Sequence, residues 1–172
     1  VAMIGSLSTD GGSNAGASVK KSANGNMYEV AAREAGELFA AHLDGSPLPL
    51  VCVLSGKALP EQARAALASS ARSLGYGDAC AFAALEGPDG TLDVSSLLLL
   101  VEGLDPLCLI AADADAARLL SEAYRCPVPH GQPSRIMGRP VVAFSSFASM
   151  LANDDDKQAA WALLKKLPRR GA

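Results

Sequence analysis

The chain has 172 residues, the length of one ordinary domain. With 49% hydrophobic and 19% charged residues, it is too apolar for a disordered protein and suited to a packed core. A net charge of −3 excludes a whole-chain polycation of the kind that coats nucleic acid.

Residues 1–26 are rich in Gly, Ser, Asn and Ala, as in Asp10-Gly11-Gly12-Ser13-Asn14-Ala15-Gly16. They carry neither a period of two nor one of 3.6, which predicts a flexible tail ahead of a single α/β domain over 27–172. Tyr28, Ala31, Ala35, Leu38, Phe39 and Leu43 recur at spacings of three and four, so a helix is expected up to Gly45 and Pro47. Residues 48–54 form a short apolar run closed by Ser55-Gly56, as in a buried parallel strand. Pro60-Glu61 opens a second helix with an apolar face of Ala63, Leu67, Ala71 and Leu74, and Gly75 stops it.

The cycle then repeats. Residues 79–85 read as a strand of small residues and Gly87-Pro88-Asp89-Gly90 as a turn. Asp93 is positioned to cap a helix carrying Leu97, Leu100, Val101 and Leu104, which Asp105-Pro106 breaks. Residues 107–111 are the next strand, and Asp113 or Asp115 starts the helix after it. Residues 126–139, with three prolines and two glycines, read as a long loop. Residues 141–144 are the last strand, followed by a short turn over 147–151 and a closing helix from Asp154 to Leu167. Strands that are apolar throughout, alternating with helices, imply a parallel sheet covered on both faces. The expected fold is a three-layer α/β/α sandwich with a small, mostly parallel four-stranded sheet.

The longest aliphatic run, residues 97–101, falls far short of the roughly 20 residues of a membrane span. The opening Val1–Gly5 lacks the basic flank and apolar core of a secretory signal. Cys52, Cys80, Cys108 and Cys126 include no Cys-x-x-Cys pair, which suits a reduced cytoplasmic interior and argues against zinc or an iron–sulfur cluster. Neither a metal nor a cofactor is expected, and no membrane partner.

Ligands of such sheets bind beyond the carboxyl ends of the strands. Ser55, Gly56 and Lys57 lie at the first such end, where a glycine lets a phosphate approach the backbone and a lysine adds charge. The spacing is not that of a Walker loop, and the Gly-x-Ser-x-Gly elbow is absent. Asp113, Ser145 and Ser146 lie at the other ends. Ser55, Lys57 and Ser146 are therefore the catalytic candidates, and Gly56, Asp113 and Ser145 the ligand-binding ones, although Asp113 also suits a helix cap. The two histidines, His42 and His130, have no evident carboxylate partner, which disfavours a histidine triad. Asp154-Asp155-Asp156 complement a helix dipole rather than form a metal cluster, and Lys165, Lys166, Arg169 and Arg170 do the same at the other end. Arg135, Arg139, Lys165 and Lys166 are the candidates for a weak contact to DNA.

Two stretches resemble the uracil-DNA glycosylase superfamily. In Leu97–Ala112 a helix ends at a proline and feeds an apolar strand, and Ala116–Leu120 begins the helix that follows. Val141–Leu151, with Lys157, Trp161 and Leu164, is similar to the superfamily's last strand, His-Pro-Ser loop and closing helix. The resemblance covers residues 48–167 and implies a glycosylase-like fold. The departures fall on the chemistry. Ser146-Phe147-Ala148 stand where the family has His-Pro-Ser. Ser55-Gly56-Lys57-Ala58-Leu59-Pro60 replace its water-activating loop and supply no Asp, Glu or Asn. The psi subunit of bacterial DNA polymerase III is a case of this fold used for protein binding, and the closing helix here looks like that subunit's end. The expectation is a non-catalytic accessory or adaptor in bacterial DNA replication or repair, with a replication or repair protein as partner. The alternatives are a divergent base glycosylase and a small-ligand-binding domain.

Overall fold

In the computed structural model, which describes residues 27–171, capping side chains set several helix starts. Asp93 accepts from Ser96 N–H at 2.8 Å and starts α3 (Val94–Leu104). Asp113 accepts from Ala116 N–H at 3.0 Å and starts α4 (Ala114–Tyr124). Asn153 accepts from Asp156 N–H at 2.9 Å and starts α6 (Asp154–Leu164). Each removes an orphan donor of a first turn, worth about 1 kcal/mol. The remaining helices are α1 (Met27–Leu38), α2 (Glu61–Ser73) and the single-turn α5 (Phe147–Met150). The tail expected over 1–26 lies outside the described residues.

The sheet has six strands, not four. They are β1 (Leu43–Gly45), β2 (Val51–Ser55), β3 (Cys80–Ala84), β6 (Cys108–Ala111), β7 (Ser134–Ile136) and β8 (Arg139–Ala143). Their order across the sheet is β1-β3-β2-β6-β8-β7. The four expected strands are its parallel centre, with Val53 opposite both Phe82 and Ile110, and Ile110 opposite Val142. The two additional strands are antiparallel edges. A separate hairpin, β4 (Glu86–Gly87) with β5 (Gly90–Thr91), contains the expected turn.

Both edge strands correct the sequence reading. The first helix stops at Leu38 instead of running to Gly45, and Leu43–Gly45 pair with Ala81–Ala83. The long loop contains β7, joined to β8 by a two-residue turn whose Met137 and Gly138 both have positive φ, 50° and 84°. That is the primed turn that matches strand twist. The closing helix ends at Leu164, one turn before Leu167. Edge donors on β1 are already used: Gly45 N–H bonds Asp44 Oδ1 at 2.8 Å, and Leu43 N–H bonds Ala40 O at 3.4 Å. Short, self-occupied edges resist pairing with another chain.

Alternate residues of each central strand face opposite layers. Cys52, Leu54, Leu109, Ala111 and Val141 pack with α1, α3 and α4. Val51, Val53, Cys108, Ile110 and Val142 pack with α2, α5 and α6. The segment after α6 is held on the end of α2: Arg170 N–H bonds Leu74 O at 2.8 Å, and the Tyr76 hydroxyl donates to Pro168 O. Gly75, at φ +94°, leaves no room for a side chain, since a Cβ would lie 1.9 Å from Arg170 O. Among the described residues no helix is long and apolar enough to cross a membrane.

Candidate functional site

The chain passes from β2 to β3 on one side and then to β6 on the other, so strand order reverses at β2. The carboxyl ends of β2 and β6 therefore flank the crevice where a ligand is expected in an open α/β sheet. Gly56 leaves β2 there and Asp113 leaves β6. The Gly56 N–H donates to both oxygens of Asp113, at 2.8 and 3.1 Å. One of those oxygens also caps α4. Asp115 lies directly over Gly56, and a Cβ on Gly56 would come within 3.0 Å of its carboxylate. The place where a backbone N–H would meet a phosphate is thus held by the protein's own carboxylate. Arg118 pairs with Asp115 at 3.1 Å on the outer side.

Backbone bonds tie the remaining strand ends together. Leu85 and Glu86 N–H donate to Ser55 and Gly56 O at 2.8 and 2.9 Å. Phe147 N–H donates to Ala112 O at 2.8 Å and Ala114 N–H to Ser145 O at 3.1 Å. Asp113 and Ser146 form an isolated antiparallel bridge. Four sequence candidates therefore converge here: Gly56, Asp113, Ser145 and Ser146. Ser55 ends β2 only 3% exposed. Lys57 is exposed and makes no ion pair or hydrogen bond among the described residues.

Ser146 acts as an N-cap. Its Oγ accepts from Ser149 N–H at 3.2 Å and shares a hydrogen bond with Ser149 Oγ at 2.9 Å. No histidine bonds it. His42, read from sequence as a helix-end residue, instead lies in the turn before β1, with Nδ1 2.8 Å from Ala84 O and its ring against Gly87. That places it beyond β3. Two strands separate β3 from β8, a distance of about 14 Å at normal strand spacing, too far for a proton relay to Ser146. His130 adjoins the end of β8, because Gly131 N–H bonds Ala143 O at 3.0 Å. The pairing that brings His130 there is invisible in a proline-rich loop. His130 is exposed and has no hydrogen-bond partner among the described residues.

The basic candidates do not form one face. Arg139 is only 11% exposed and holds Asp105 at 2.7 Å, Glu102 at 3.3 Å and Pro106 O at 2.7 Å. Tyr124 completes this network through Glu102 at 2.6 Å, and its own burial raises its pKa. Arg135 donates to Gly138 O in the hairpin. Lys165 lies 5.8 Å from the centre of the Trp161 ring, and Lys166 is exposed. Among the described residues no group of three or more His, Cys, Asp or Glu could hold a metal ion. Cys52, Cys80 and Cys108 are buried free thiols, each with its pKa raised by burial.

Two grooves lie away from this edge. One, of about 520 Å³, runs between α1 and β1. The other, of about 480 Å³, runs between α1 and α3. No protein-family model matches the chain, and no curated protein matches it either.

Proposed function

We propose that this protein is a non-catalytic module with a uracil-DNA-glycosylase-like α/β/α fold, serving as an accessory or adaptor in bacterial DNA replication or repair. The observation that carries this reading is the Asp113–Gly56 contact. It fills the crevice at the point of strand-order reversal with a carboxylate that two backbone N–H groups already hold. A flipped base needs an open pocket and a donor for the departing anion. Here Ser146 caps a helix and carries no histidine. One such donor is worth about 10²–10³ in rate. Any contact to DNA falls on Arg135, Lys165 and Lys166, since Arg139 is already engaged by carboxylates. One observation favours the enzyme alternative: His130 lies on the same edge as Ser145 and Ser146.

The test is excision of uracil from labelled single- and double-stranded oligonucleotides, read by alkaline strand cleavage. The expected result is no cleavage above that of a mock preparation. Cleavage that His130→Ala or Ser146→Ala removes overturns the reading and restores a divergent glycosylase.

A further inference from the structure

A surface helix normally carries one apolar stripe and a polar remainder. In α3 the stripe is complete with Leu97, Leu100, Val101 and Leu104, all buried. Leu98 and Leu99 lie outside it, and Leu99 is 60% exposed. α1 behaves likewise: Ala32 and Ala35 are buried, as is Phe39 just after it, while Leu38 is 68% exposed. Leu38, Leu98 and Leu99 all line the groove between the two helices. At Gly103 the helices approach so closely that a Cβ would lie 2.7 Å from the Ala35 Cβ. The groove lining contains two carboxylates, Glu34 and Glu102, and no cation. Glu34 has no ion pair among the described residues. Glu102 is half exposed, with Arg139 and Tyr124 both on its Oε2.

From this we infer that the α1–α3 groove is a docking site for an amphipathic helix of a partner protein, with an apolar face flanked by basic residues. A groove between two helices, flanked by exposed leucines over the buried Ala35 and Phe39, suits a helix that inserts side chains at i, i+3 or i+4, and i+7. Glu34, the carboxylate of the lining that no cation among the described residues holds, selects Lys or Arg on the flank beside it and disfavours an acidic one, and the absence of a cation in the lining acts in the same direction. The inference deepens the adaptor reading by naming the surface and the chemistry of its partner. The uracil-excision assay tests that reading separately.

The test is selection from a displayed library of 18-residue amphipathic helices with fixed leucines and randomised Lys, Glu or Ser flanks. The full chain is the bait, and the strongest peptide is then measured by fluorescence polarisation. The expected outcome is enrichment of Lys-flanked peptides. Affinity should fall at least tenfold in Leu99→Asp and several-fold in Glu34→Lys, and stay unchanged in Lys157→Ala. Leu38→Ser replaces Leu99→Asp if the latter does not unfold cooperatively. Several outcomes overturn the inference. One is no enrichment, and another is enrichment of Glu- or Ser-flanked peptides or binding indifferent to Leu99→Asp. A concentration-dependent dimer that Leu99→Asp abolishes would make a second copy the occupant. A tenfold gain in peptide affinity on replacing Ile4 and Leu7 by Ser would make the chain's own first residues the occupant.

Discussion

The carboxyl edge of the sheet and the α1–α3 face are opposites. At the edge every strand end is tied to its neighbour, and the Asp113 carboxylate takes up the Gly56 N–H. On the face, leucines stand in solvent over a groove. A polar crevice whose groups satisfy one another gains little from a small polar ligand, which would have to replace bonds already made. Exposed apolar surface gains from being covered, and a concentrated patch of it marks an interaction site. The exposed apolar surface thus lies away from the strand ends, whose polar groups satisfy one another.

The largest effect that sharpens this contrast comes from two leucines on one helix. Leu97→Ala, in the buried stripe, is expected to cost about 2–5 kcal/mol in urea unfolding. Leu99→Ala, two residues on, should stay within about 0.5 kcal/mol. Equal losses would mean that the α1–α3 face is covered in the free protein.

Next is the crevice. Asp113→Ala removes a helix cap and leaves the Gly56 N–H without its acceptor. The combined cost is about 2–3 kcal/mol, or about 4–12 °C in Tm for a domain of this size. Asp113→Asn preserves the cap and should lose less. A neutral Asp113→Ala would show that the carboxylate does not hold the two strand ends together.

The thiols give a pH signature. Burial pushes Cys52 and Cys80 up to about 12 and Cys108 to about 11. In the unfolded chain they ionise near pH 8.5. Above that value the unfolded state binds fewer protons than the folded one. The stability they contribute is therefore full below about pH 8.5 and falls as the pH climbs toward the folded values. The urea midpoint should decline from about pH 9 upward, and less so in a Cys52→Ala variant. In native protein a thiol reagent should label Cys126, which is partly exposed, and reach the other three only on unfolding. Four fast thiols at neutral pH would contradict the packed core.

The smallest effect is at the β7–β8 turn. Met137 is 83% exposed in a left-handed conformation that methionine tolerates poorly. Met137→Asn, giving Asn-Gly, should stabilise by about 1 kcal/mol. No gain in the urea midpoint would argue against the primed turn, and with it the register of that sheet edge.

The four central strands were legible because each is apolar throughout and bounded by turn residues. The cap Asp93 was legible from its position before an apolar period, whereas the next helix start was narrowed only to Asp113 or Asp115. The edge strands were not. Leu43–Gly45 is three residues long, too short for a period of two to appear, and Leu43 continues the spacing of the preceding helix. Ser134–Ile136 is hidden among prolines and glycines, and its one signal is Met137-Gly138 as a two-residue turn. The Asp113–Gly56 bond joins residues 57 apart in sequence. Only the strand order makes them neighbours, so the sequence reading placed both at the ligand edge without their mutual contact. Leu98 and Leu99 fall outside the face of Leu97, Leu100, Val101 and Leu104, and nothing in the sequence marks them as exposed, because that depends on where α1 packs.

The most direct test of the closed crevice is a ¹H–¹⁵N spectrum of the full chain titrated with uracil, then with deoxyuridine monophosphate. No saturable shift is expected at Gly56, Lys57, Asp113 or Ser146. A saturable shift centred on Gly56 and Ser146 would mean that the Asp113 carboxylate gives way to ligand. The crevice would then be a working site and the non-catalytic reading would fall.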